Sequence, residues 1–154
     1  MTDSLVPDWI QNTRDRNEAM SAQARREHQE TLLATKIIQA DGAEFWKQLR
    51  KDLEIAIHSL HLIGVRAVLS DVPGGLQIRM NTESTMPRLT YTNLSYNGTA
   101  IHFHTMEDES SSWRLCVASE KVVLNADGRL LSGESAARAI LEPILNRIGV
   151  AVQS

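Results

Sequence analysis

The stretch RLTYTNLSYNGTAIHFHTM, residues 88–106, decides the fold. Apolar and polar side chains alternate on both sides of Asn97-Gly98, and a period of two sends successive side chains to opposite faces of a strand. Asn-Gly between such runs favours a two-residue type I′ turn, because both residues tolerate the positive φ it requires. The turn predicts antiparallel strands over 88–96 and 99–106. Tyr96 then lies opposite Thr99, Leu94 opposite Ile101 and Thr92 opposite Phe103, on an apolar face. Asn93 lies opposite His102 and Tyr91 opposite His104, on a polar face.

The same rhythm continues outward. Residues 65–72 and 76–81 flank Pro73-Gly74-Gly75, a hairpin signal. Leu76, Ile78 and Met80 point one way, while Gln77, Arg79 and Asn81 point the other. On the C-terminal side the acidic serine run 108–112 reads as a loop. Residues 113–119 read as a strand with Trp113, Leu115 and Val117 on one face and Arg114, Cys116 and Ala118 on the other. Residues 121–125 and 129–131 form a last hairpin about Asp127-Gly128, and a short edge strand is expected at 150–152.

Helical spacing brackets this β region. Helix 1 is expected from residue 7 or 8 to 39, ended by Asp41-Gly42. Helix 2 follows over 43–63, with Phe45, Trp46, Leu49, Leu53, Ala56, Ile57 and Leu60 on one arc at 100° per residue. Ile55 and Leu62 form a second stripe, which predicts cover on both sides of this helix. Helix 3 begins after Ser132-Gly133; its stripe is Ala137, Leu141, Ile144, Leu145 and Ile148, and Pro143 should kink it. The whole predicts an α+β fold: two N-terminal helices, an antiparallel sheet of five to seven strands in meander order, and one C-terminal helix. Helices 2 and 3 cover one sheet face. Two domains are expected, a long polar helix at 1–40 and an α+β core at 41–154.

Residues 11–30 are mostly polar, so helix 1 has too little apolar surface for a core layer of its own. A strip through Trp9, Met20 and Ala24 remains, and self-association along it is the expected use.

Composition narrows the function classes. The chain has 154 residues, a formal net charge of −3 and one cysteine, Cys116. No intrachain disulfide can form, which suits a reducing compartment. No apolar run approaches the ~20 residues of a membrane span. The N-terminus lacks the basic-then-apolar form of a signal peptide, and a cytoplasmic location is expected. A nucleic-acid binder usually carries a basic excess, so nucleic acid is not the expected partner.

No phosphate loop, zinc-protease, C-x-x-C or nucleophile-elbow pattern occurs. His102 and His104 share a strand face, but no further ligand is placed beside them, so no metal site and no cofactor are expected. The polar sheet face supplies the candidate ligand residues Tyr91, Asn93, His102, His104, Arg114 and Cys116. The leading expectation is a small binding or assembly module acting through protein contacts. The alternative is a small enzyme or ligand-binding protein that uses His102, His104 and Cys116, with a cysteine–histidine pair as nucleophile.

Overall fold

The structure is a computed structural model that describes residues 6–152. The chain divides into two compact units, one ending at Lys36 and the other beginning at Ile37.

The first unit is helical from Asp8 on, and none of its described residues is buried. Local contacts hold it. Gln11 Nε2 donates to Asp15 Oδ1 at 3.1 Å and Gln23 Nε2 to Glu27 Oε1 at 3.1 Å, while Arg14 pairs with Glu18. Each i,i+4 pair of this kind contributes only a few tenths of a kcal/mol. Trp9 and Met20 are 70% and 63% exposed.

The second unit carries the sheet and two helical segments. Helix α1 spans Asp8–Ser59, and its C-terminal part belongs here, followed by a 3₁₀ turn at Leu60–Ile63. Seven strands follow: β1 Val65–Val72, β2 Gly75–Thr82, β3 Leu89–Tyr96, β4 Ala100–Thr105, β5 Ser110–Ala118, β6 Lys121–Ala126 and β7 Arg129–Leu131. Each pairs antiparallel with the next, in the order β1 to β7. Helix α2, Gly133–Arg147, closes the fold. The architecture is α+β with a meander sheet.

The helix break expected at Asp41-Gly42 does not occur, so the described residues form two α-helices rather than three. Glycine inside a helix costs about 1 kcal/mol relative to alanine. Here it permits close packing: Gly42 is buried, and a Cβ there would collide with the Tyr96 hydroxyl. The Tyr96 ring stacks on Trp46, one helical turn further on, with centroids 5.6 Å apart. Gly42 is thus a point of approach to β3, and Asp41 continues the helix instead of capping a new one.

The β3–β4 hairpin also differs from expectation. Asn97 is not in the left-handed region, as a type I′ turn would need. Its Oδ1 instead accepts the backbone N–H of Thr99 and of Ala100, each at 2.9 Å. That side-chain bracket widens the loop and shifts the register by two residues, so Tyr96 lies opposite Ile101 and Leu94 opposite Phe103. A two-residue shift preserves the faces. Turns with positive φ at both positions occur at Ser119-Glu120 and Asp127-Gly128. Ser110, Ser111 and Ser112 belong to β5 rather than to a loop. Residues 150–152 form no strand; Val150 N–H bonds the Leu145 carbonyl beyond the end of α2.

One core joins the helices to one sheet face. Leu49, Leu53 and Ile57 of α1 and Ile140, Leu141, Ile144 and Leu145 of α2 are buried with Leu76, Ile78, Met80, Leu94, Ile101, Phe103, Leu115 and Leu124 of the sheet. Phe103 meets Trp113 edge-on at 4.8 Å. The outer stripe is not covered: Ile55 of α1 and Leu62 of the 3₁₀ turn are 68% and 76% exposed.

An ion pair ties α1 to the end of β1. Arg50 engages both carboxylate oxygens of Asp71, with Nη2 at 3.1 Å from Oδ2, and also reaches Glu54. The Arg50 hydrogen bond holds the Asp71 carboxyl below its ordinary value. A lowered folded-state value stabilises the fold at pH above the ordinary carboxylate range, and the effect is lost as pH falls through the lowered value. The thermal midpoint gap between wild type and Asp71→Asn should therefore narrow from pH 7 to pH 3, and melts at the two pH values check this.

Candidate functional site

Strand alternation leaves one sheet face without helical cover. Its side chains fall into rows across the strands. One row runs Ser70, Gln77, Asn93, His104 and Ser110, through five strands. The next runs Val72, Gly75, Ser95, His102 and Ser112. Arg79 and Tyr91 face each other on one side of these rows; Arg114, between Ala100 and Asn125, lies on the other. A concavity of about 660 Å³ opens here, lined by Gln77, Asn93, Ser95, His102, His104 and Ser110–Ser112 among others.

Hydrogen bonds fix much of this surface. Arg79 Nε donates to Gln77 Oε1 at 2.8 Å, and Gln77 Nε2 donates to Asn93 Oδ1 at 3.0 Å. The donor–acceptor chain sets the amide orientations. The Asn97 Oδ1 atom is occupied by backbone N–H groups, so its Nδ2 is the donor to His102 Nε2 at 3.0 Å. This assigns the His102 proton to Nδ1.

His104 is held from both sides. Its Nε2 lies 3.2 Å from Asp108 Oδ1, and its Nδ1 lies 3.0 Å from Ser110 Oγ. When His104 Nε2–H donates to the carboxylate, Nδ1 accepts from the serine hydroxyl. The order serine–histidine–carboxylate is that of an activated nucleophile. Such chemistry draws its strength from a water-excluded site, and here the His104 and Asp108 side chains are 48% and 92% exposed. The chain of contacts orients His104 at a wetted surface.

The six residues expected on the polar face do not form one cluster. Asn93, His102 and His104 line the concavity. Tyr91 and Arg114 lie at its margins, through their pairings with Arg79 and Asn125. Cys116 lies opposite Val123, four residues beyond Ser112, which itself faces His102. Four residues of strand amount to roughly 13 Å. Burial also pushes the Cys116 thiol above its ordinary value, disfavouring the thiolate. The cysteine–histidine pair is not assembled. Among the described residues no group of three His, Cys, Asp or Glu side chains could hold a metal.

Sequence reasoning passed over Gln77, Ser95, Ser110, Ser112 and Asp108 as site residues. Alternation already placed Gln77 on the polar face. Alternation likewise places Ser95 on that face, whereas Ser110 and Ser112 were hidden because an acidic serine run resembles a loop.

No family model, no curated protein and no solved structure matches this chain. Among the described residues no helix is long and apolar enough to cross a membrane.

Proposed function

We propose that the protein is a cytoplasmic binding or assembly module that acts through protein–protein contacts. Its recognition surface is the open sheet face, and residues 8–30 of α1 serve self-association. The observation that carries this reading is the pair of polar rows across β2–β5, which line a concavity with hydrogen-bonding side chains already held in place. Side chains ordered before binding lose less entropy when a partner arrives. The rows offer amide, hydroxyl and imidazole groups, which suit reversible recognition. A single cysteine suits a reducing compartment.

Partner capture tests the recognition surface. Ser95 and Ser112 are exposed on the open face, so Ser95→Trp with Ser112→Trp should keep the fold and fill the concavity. A partner retained by the wild type and lost by the double variant is the expected result. Equal retention by both proteins contradicts the reading.

Self-association has its own test. Most helical stability in proteins comes from packing of an apolar face, yet no residue of 8–36 is buried. Light scattering at ~100 µM, where a micromolar complex is largely assembled, should find an oligomer that Met20→Asp with Ala24→Asp dissociates. A wild-type monomer at that concentration contradicts the role of α1.

A further inference from the structure

Charge on the open face departs from charge in the chain as a whole. The chain carries 19 acidic and 16 basic residues. Yet across all seven strands the only carboxylate is Asp71, which Arg50 holds. Asp71 lies opposite Leu76, on the core-facing side. No open-face strand position is acidic, while four are basic: Arg66, Arg79, Arg114 and Lys121. These four stand on β1, β2, β5 and β6, with His102 and His104 on β4 between them. Arg66, Arg79, His104, His102 and Arg114 stand in successive rows along the strand direction, and Lys121 two rows further, while the strand number rises from β1 to β6, so they trace one diagonal. Arg66 pairs with Glu83 of the β2–β3 loop. No ion pair joins Arg79, Arg114 or Lys121 to a carboxylate among the described residues.

We infer that the open face takes an acidic, extended polypeptide segment of a partner protein, laid along this diagonal. The inference rests on reading the open face as a recognition surface and adds the chemistry of the partner. From Arg66 to Lys121 the track crosses five inter-strand gaps, ~24 Å, and advances six rows along the strands, roughly 40 Å, so the diagonal is roughly 46 Å long, the reach of about fourteen extended residues. Uncharged donors and acceptors fill the middle of the track, namely Gln77, Asn93, Ser95 and Ser112. They match the main-chain amides of an extended chain, while the flanking cations match its carboxylates. A single-stranded nucleic acid would want broad aromatic platforms for its bases, and Tyr91 is the one Phe, Tyr or Trp side chain at an open-face strand position.

Fluorescence anisotropy with the full chain tests this. The probe is a labelled acidic peptide of alternating Glu and Ser, compared with its Gln/Ser counterpart and with oligothymidylate. The acidic peptide should bind, and raising salt across the range where surface charges become screened should weaken it at least ~tenfold. Arg79→Gln with Arg114→Gln should weaken binding by a similar factor with an unchanged circular dichroism spectrum. Lys47→Gln with Lys51→Gln, on the exposed side of α1, should leave binding unchanged. No binding of the acidic peptide at ~1 mM, insensitivity to the arginine pair, or tighter binding of oligothymidylate overturns the inference. If the peptide fails while the Ser95→Trp, Ser112→Trp variant still loses its captured partner, the acidic assignment falls and the recognition surface stands.

Discussion

Leu53→Ala should lower the stability of the protein by about 3–5 kcal/mol, at the upper end of leucine truncations. Leu53 is fully buried. It lies in the part of α1 that faces the sheet, between Leu49 one turn before it and Ile57 one turn after, both buried as well. The same core holds side chains from α2 and from the sheet's apolar face. Removing three carbons from such a position forfeits their transfer free energy and leaves a cavity that two helices and a sheet cannot all collapse into. Urea denaturation gives the measurement, with the midpoint shifted and the slope unchanged. A midpoint equal to that of the wild type would mean that α1 presents a different face to the sheet. Substitutions on the polar part of the helix, such as Glu18→Ala, should stay within about 0.5 kcal/mol.

Gly75→Ala should cost about 3 kcal/mol, although it adds a single methyl group. Gly75 opens β2 beside the Pro73-Gly74 turn, opposite Val72 on β1 and Ser95 on β3. A Cβ at this position would run into the backbone carbonyl of Leu94. Main chain in the middle of a sheet cannot swing aside as a side chain does. The added atom must separate β2 from β3 or bend β2, and overpacking of this kind costs 1–3 kcal/mol or somewhat more. By contrast Gly74, with a φ of 80°, has open space where its Cβ would be. Replacing Gly74 should therefore cost only the strain of a left-handed backbone. Parallel thermal melts of the two alanine variants, with Gly75→Ala the lower, check the distinction. Equal midpoints would contradict the close approach of β2 and β3.

The α+β order and every sheet strand were legible because alternation and turn residues agree over most of the β region. The apolar face named from residues 92–117 is the face that enters the core, with Leu94, Ile101, Phe103 and Leu115 buried. Gly42 was not legible. A glycine after an aspartate reads as a break, and only the position of Tyr96, more than fifty residues away, shows that it serves packing. The hairpin register was misread for a related reason. Asn97 uses its side chain to bracket two backbone amides rather than its backbone to make a tight turn. On the polar face, alternation placed His102 and His104 together. It could not reveal that Ser110 and Asp108 hold His104, because those contacts depend on where the β4–β5 loop ends.

Recognition through the open face is the central claim, and the two histidines report on it directly. Both are exposed there, and His28, His58 and His61, which belong to helical segments, are exposed as well. Carbethoxylation of the five imidazoles, followed by mass spectrometry, should be compared for the free protein and for the protein holding its captured partner. The partner is expected to slow modification of His102 and His104 and to leave His28, His58 and His61 unchanged. Unaltered modification of His102 and His104 in the complex would contradict the claim.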